Sequence, residues 1–180
     1  DERSAAFAAL GVGLAAGRPA VLLCTSGTAA AHFYAAVIES SLSHVPMLVV
    51  TADRPPELKD VGAPQTIDQT KLYGDVVRWF HDPGVADLAA SGSWRSLARQ
   101  SYASTVGVNP GPVHLNLPFR EPLTGKAIDL SSERLTRTQI LGSIGLSDPE
   151  LQRAAALFEN QKGIIIAGRG CGDGSAVSEL

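Results

Sequence analysis

Glu2, the run Thr25-Ser26-Gly27-Thr28, Arg54 and the pair Gln65 and Gln69 are the residues whose types and settings could do chemistry in this sequence. Thr25-Ser26-Gly27-Thr28 follows the unbroken apolar run Ala20-Val21-Leu22-Leu23-Cys24 and precedes an alanine-rich stretch that continues to about Ser43. That order reads as a buried strand, a tight turn and a helix, which is half of a βαβ unit. Hydroxyls and free backbone N–H groups at the carboxyl end of such a strand face the crevice in which parallel sheets hold ligands. A Ser or Thr helix cap beside a turn glycine is the ligand-free reading of the same residues, and both readings stay open. Arg54 lies in Ala52-Asp53-Arg54-Pro55-Pro56-Glu57-Leu58, where Pro55 biases it away from helix and stiffens the loop. Its planar fork suits a carboxylate gripped at two points, and an ion pair with Asp53 or Glu57 is the structural alternative. Glu2, taken alone, reads as a charge that complements a helix dipole or pairs with Arg3. Gln65 and Gln69 can each hydrogen-bond a polar ligand or face water.

The remaining reactive types exclude more than they assign. His32, His44, His81 and His114 show no metal-ligand spacing, so no metal is assigned, and His114 reads as a satisfied residue of an alternating strand. Cys24 in a buried strand and Cys171 in a glycine-rich turn give no disulfide framework, which fits a reducing cytoplasm. The run Gly168-Arg169-Gly170-Cys171-Gly172-Asp173-Gly174 admits a Rossmann-type fingerprint or the Gly-Asp-Gly of a metal-diphosphate motif, with a plain strand-to-helix turn favoured over both. Fifteen basic against eighteen acidic residues leave a net charge of -3 without a basic block, so a nucleic-acid partner has no electrostatic support. Neither a signal peptide nor an apolar run long enough for a bilayer occurs, so no membrane insertion is expected.

Those side chains need elements to hold them. The pattern predicts a helix from Asp1 to Ala16 stopped by Gly17-Arg18-Pro19, and a second strand over Val45 to Thr51. A short helix is expected from Pro56 or Glu57, and another around Ile67 to Tyr73 inside a loop from Val61 to Gly74. Val76 to Phe80 suits a strand. Trp94, Leu97, Ala98, Tyr102 and Val106 mark an amphipathic helix over Ser91 to Val106, followed by a strand from Gly111 to Pro118. Phe119 to Ser147 reads as linker, Asp148 to about Asn160 as helix and Gly163 to Gly168 as the strand opening a second α/β unit. The 180 residues therefore hold one α/β domain and the start of another, and the chain looks cut at both ends.

Several of these segments resemble a family when taken together. Asp1-Glu2-Arg3-Ser4, Thr25-Ser26-Gly27-Thr28-Ala29, Thr51-Ala52-Asp53-Arg54-Pro55-Pro56-Glu57-Leu58 with Gly62-Ala63 and Gln65, and Gly111-Pro112-Val113-His114-Leu115-Asn116-Leu117-Pro118 with Glu121-Pro122-Leu123 stand in one order. The same order and similar spacings occur in the 2-succinyl-5-enolpyruvyl-6-hydroxy-3-cyclohexene-1-carboxylate synthases, a branch of the thiamine-diphosphate enzymes. His32 and Pro64 depart from that pattern, where the family has Asn. The resemblance implies a parallel-sheet, pyrimidine-type thiamine-diphosphate-binding domain over residues 1–123 with helices on both faces. A linker over 124–147 and the start of a middle domain over 148–180 would follow.

The resemblance also implies an activity: decarboxylation of 2-oxoglutarate and addition of its succinyl semialdehyde unit to isochorismate, in menaquinone or phylloquinone synthesis. Glu2 then matches the glutamate that contacts N1′ of the cofactor pyrimidine and shares a proton with it. Thr25, Ser26, Gly27 and Thr28 fall on the cofactor's pyrimidine side, and Arg54 and Gln65 on substrate-pocket positions. Mg2+ and the diphosphate are expected in a C-terminal domain outside this chain. Self-association to a dimer or tetramer, with the active site between subunits, is expected, so this piece alone should be inactive. An acetolactate-synthase-like 2-oxo acid carboligase and a non-catalytic nucleotide-binding α/β module are the alternatives.

Overall fold

In the computed structural model, which describes residues 1–124, 145–159, 161–164 and 166–168, Asp1 caps the first helix, α1 (Glu2–Ala16). Its carboxylate accepts the N–H groups of Arg3 at 2.9 Å and Ser4 at 3.2 Å, satisfying donors that have no partner inside the helix. Gly17 ends α1 in the left-handed conformation at φ 61. The buried stripe of α1 is Ala6, Ala9 and Gly13, all small, which lets the helix lie close to what it covers. A Cβ on Gly13 would stand 2.6 Å from Val45 Cγ1 and 2.7 Å from the Pro46 carbonyl oxygen.

The sheet consists of β1 (Ala20–Cys24), β2 (Met47–Asp53), β3 (Trp79–His81) and β4 (Pro112–Pro118), all parallel and in the order β1-β2-β4-β3. Register pairs Cys24 with Thr51 and Thr51 with Asn116, so the loops after β1, β2 and β4 leave at one edge. Between β1 and β2 the chain makes a 3-10 turn, Ala30–Phe33, and then α2 (Tyr34–Leu42).

On one face of the sheet Leu22, Cys24, Met47 and Val49 meet Ala6 and Ala9 of α1, Ala30, Phe33, Ala36 and Val37 around α2, and Tyr73. Each Phe, Met or Val buried there contributes about 1.5–3 kcal/mol. On the other face α3 (Ser91–Val106) borders a cavity of about 410 Å3, whose lining includes Leu48, Val50, Leu115, Trp94 and Leu97. The fully buried positions of α3 are Ser101 and Thr105 rather than its apolar residues. Both hydroxyls donate back to helix carbonyls, to Leu97 O and Tyr102 O at 2.7 Å, and so need no solvent.

Two local expectations fail between β2 and α3. The helix expected around Ile67 to Tyr73 is absent: residues 66–69 are irregular, 70–73 form a turn with Lys71 at φ 52, and a 3-10 turn occupies Gly74–Val76. The strand expected over Val76 to Phe80 is confined to β3, since that 3-10 turn uses up its beginning.

The chain divides into two compact units, residues 1–143 and 144–180. In the second, α4 (Asp148–Phe158) starts with a capping box in which Ser147 and Glu150 satisfy each other's backbone N–H groups. Residues 163, 164 and 166–168 are not in a strand, contrary to the pattern. Linker residues 125–144 and the motif residues from Arg169 onward, Cys171 included, lie outside the described residues.

Candidate functional site

The loop after β1 is built against a second loop that reaches it from far along the chain. Gly27 sits at φ 88, a conformation natural to glycine, and a Cβ there would stand 3.2 Å from both Cγ and the carbonyl oxygen of Gln65. Ser26 Oγ donates to Gln65 O at 3.1 Å, while Gln65 Nε2 donates to Thr25 Oγ1 at 2.8 Å and Ser26 O at 3.2 Å. Gln65 itself holds φ 58 to make these contacts. Thr25, Ser26, Gly27, Thr28, Ala29, Gln65, Thr66 and Ile67 together line a cleft of about 390 Å3.

Of the backbone N–H groups expected to face the crevice, that of Gly27 is already taken. The Gly27 N–H donates to Gln69 Oε1 at 2.8 Å, and the 3-10 turn separates the loop from α2. The loop brings Thr25, Ser26, Gly27 and Thr28 together in the lining of the cleft.

Beneath the loop lies a buried polar cluster. Asn116, on β4, donates through Nδ2 to Asp53 Oδ2 at 2.8 Å and to Asp82 Oδ2 at 3.0 Å. Its Oδ1 accepts Thr51 Oγ1 at 2.8 Å and Gln69 Nε2 at 3.0 Å. Lys59 pairs with the buried Asp53 at 2.9 Å. Burial pulls the Lys59 pKa down, but the hydrogen bond and charge of Asp53, together with the charges of Asp82 and Asp68, hold the ammonium above its ordinary value.

Arg54 leaves β2 beside this cluster with both of its expected ion-pair partners engaged elsewhere. Asp53 holds Lys59 and the Arg54 backbone N–H, the latter at 2.8 Å, and Glu57 pairs with Arg120 through Nε and Nη2. That pair, together with a backbone hydrogen bond, brings the Glu57 carboxyl down to about 2. Arg54 Nε is buried without a hydrogen-bond partner among the described residues, which leaves a charged donor uncommitted near the strand end. Glu2 is exposed in the first turn of α1 and does not line the cleft. Its charge nonetheless reaches Cys24, the last residue of β1, whose thiol is pushed up to about 11 by burial first and by Glu2 second. The structure thus gathers Thr25, Ser26, Gly27, Thr28 and Gln65 at one cleft, and leaves Glu2 and Arg54 outside its lining.

His114 is the structural residue its strand setting implies. It is fully buried, with its ring against those of Tyr73 and Phe80. Both Asn116 Nδ2 protons face carboxylates, so Asn116 Oδ1 takes the Thr51 hydroxyl proton and the His114 Nε2–H must donate to Thr51 Oγ1, at 2.8 Å. Nδ1 is then a lone pair with no partner. Burial pulls the His114 pKa down to about 4 from 6.5, against the pull of Asp82 and Asp53. The unfolded chain therefore binds more protons between those values. Folding stability should fall as pH drops from about 6.5 to about 4, by about 3 kcal/mol from this group. Urea midpoints measured across that range check it, and His114→Gln, which keeps a donor for Thr51 but cannot charge, should remove this slope.

Sequence reading missed Asn116, Asp53, Asp82 and Lys59, and left Gln69 undecided. Their one local signal is position: Asp53 and Asn116 are polar residues near the ends of otherwise apolar buried strands, where nothing but a partner makes burial tolerable. No helix among the described residues is long and apolar enough to cross a membrane.

Comparison with known proteins shows what the chain is similar to. Residues 1–72 match the family model described as the thiamine pyrophosphate enzyme, N-terminal TPP binding domain. The chain is 46% identical over 182 residues to 2-succinyl-5-enolpyruvyl-6-hydroxy-3-cyclohexene-1-carboxylate synthase from Haloquadratum walsbyi, covering 93% of this chain and 29% of that protein. It is 46% identical over 177 residues to the enzyme of the same name from Chloroflexus aurantiacus, covering 95% of this chain and 30% of that protein. For the one from Thermobifida fusca the figures are 54% over 125 residues, 68% and 23%. The chain spans about 30% of the length of the first two relatives.

Proposed function

Since the chain belongs to the thiamine pyrophosphate enzymes, we propose that the protein carrying it is a thiamine-diphosphate-dependent, decarboxylating carboligase. It joins the succinyl semialdehyde unit of 2-oxoglutarate to isochorismate in menaquinone or phylloquinone synthesis, in the cytoplasm. The observation that carries this reading is identity of 46% running along 93% of the chain to a synthase named for that product.

The residues present suit the pyrimidine half of the cofactor. The cleft lined by Thr25–Thr28 mixes hydroxyls with the apolar Ala29 and Ile67, as a ring with polar edges needs, and a side chain on Gly27 would press into Gln65. When bound, thiamine diphosphate would supply a nucleophilic carbon and a sink for the electron pair left behind when CO2 departs. Glu2 would hold a proton toward the pyrimidine nitrogen N1′, Thr25, Ser26, Gly27 and Thr28 would orient the ring, and Gln65 with Arg54 would face the substrate. Mg2+ and the diphosphate group belong to a part of the protein beyond this chain.

Glu2 is exposed here, and a dry site for its proton requires a second surface. The packed helices α1 and α2 leave Phe7 49%, Val12 51% and Leu42 73% exposed, which supports self-association to a dimer or tetramer with the site between subunits.

Both organic substrates are carboxylates, and Arg54 is a cation beside the site whose Nε has no partner among the described residues. In the full-length enzyme Arg54→Ala should raise the KM for these substrates about 10- to 100-fold, with kcat changed much less. The reading itself is tested by giving the full-length protein thiamine diphosphate and Mg2+ with either 2-oxoglutarate plus isochorismate or pyruvate. Consumption of the first pair is expected. Consumption of pyruvate with isochorismate ignored would establish an acetolactate-synthase-like enzyme instead, and no cofactor binding at all would favour a non-catalytic nucleotide-binding module.

A further inference from the structure

Gln69 is fully buried although it stands in a stretch of irregular backbone, and its amide is used from both ends. Oε1 accepts the Gly27 N–H at 2.8 Å, while Nε2 donates to Ala52 O and to Asn116 Oδ1, each at 3.0 Å. Asn116 passes the connection to Asp53 Oδ2 at 2.8 Å, and Asp53 Oδ1 accepts the Arg54 backbone N–H at 2.8 Å. An unbroken series of hydrogen bonds thus runs from the loop after β1 to the loop after β2, through side chains of the connecting loop and of β4.

We propose that Gln69 is a positioning residue that, through Asn116 and Asp53, fixes the Thr25–Thr28 loop in register with the Arg54 loop. This rests on the reading that those two loops face the cofactor pyrimidine and the substrate carboxylates. Its basis is the clamp on Gly27. On one side the Gln65 backbone and Cγ stand about as close as a Cβ would tolerate, and on the other the Gln69 carbonyl holds the N–H, so the loop has one place to sit. Only a primary amide of this length fits. It must accept from Gly27 and donate to two carbonyl oxygens, which a carboxylate cannot do and a thioether cannot attempt.

The test uses the full-length protein. Thiamine diphosphate affinity is measured directly by calorimetric titration, KM for the 2-oxo acid by steady-state kinetics and Tm by circular dichroism. Gln69→Met, close in size but without the amide, is expected to weaken thiamine diphosphate and raise that KM by about 10-fold each, at temperatures where the variant is folded. Gln69→Glu is the second arm, and stands in should the Met variant not fold. Its carboxylate faces Ala52 O and Asn116 Oδ1, so affinity relative to wild type should be poor at high pH and recover as the added carboxyl takes up a proton and can donate again.

A lower Tm with both constants unchanged, and no pH dependence in the Glu variant, would reduce Gln69 to a fold-stabilising residue and overturn the inference alone. A change in one constant without the other would break the proposed link between the loops. Wild-type protein that fails to bind thiamine diphosphate would overturn the functional reading and this inference together.

Discussion

Glu2→Gln in the full-length enzyme is expected to cut turnover by about 10²- to 10⁴-fold, the range lost when a positioned proton-transfer group is removed. The substitution keeps length and hydrogen-bonding capacity but cannot hold and release a proton at the pyrimidine nitrogen. Folding should hardly change. Glu2 is exposed, and Asp1 continues to cap α1 with both backbone contacts, so the loss is limited to a helix-dipole interaction of about 0.3–1 kcal/mol. Turnover and urea stability measured on the same preparation separate the two effects. Turnover within a few-fold of wild type would leave Glu2 as a helix-end charge and remove the proposed proton path.

Asn116→Leu is expected to destabilise the protein by about 3–5 kcal/mol, the largest stability effect foreseen for a single substitution. Leucine fills nearly the same space, so no cavity argument is needed. The cost comes from the partners left behind: Asp53 and Asp82 lose a donor, and Thr51 and Gln69 lose an acceptor. Asp53 is only 3% exposed and keeps Lys59 and the Arg54 N–H, which caps the penalty. A urea titration with unchanged slope and a lowered midpoint is the expected record. A loss below about 1 kcal/mol would mean that water replaces the missing amide.

Asn116 and Glu2 differ in another respect that bears on how the fold was read. Glu2, Thr25–Thr28, Arg54 and Gln65 are legible because they fall in short strings of similar order and spacing to a known family. Asn116 falls in such a string as well, yet its role depends on partners 34 to 65 residues away. No string of neighbours shows that Gln69 turns inward, or that Asp53 and Glu57 are taken by Lys59 and Arg120 while Arg54 Nε has no partner among the described residues.

The sequence by itself determined the elements whose causes are local. Asp1 and Gly17 bound α1, apolar runs make β1, β2 and β4, spaced apolar residues give α3 its limits at Ser91 and Val106, and Ser147 with Glu150 starts α4. These follow from capping, side-chain period and proline geometry, all of which act within a few residues. Only the tertiary structure decided that β4 lies between β2 and β3, that residues 66–69 form no helix, and that the buried hydroxyls of Ser101 and Thr105, not an apolar stripe, sit deepest in α3. The physical reason is the same in each case. A buried polar group takes whatever partner the assembled sheet brings within 3 Å or so, and a helix competes for its residues against hydrogen bonds that exist only after the strands have met.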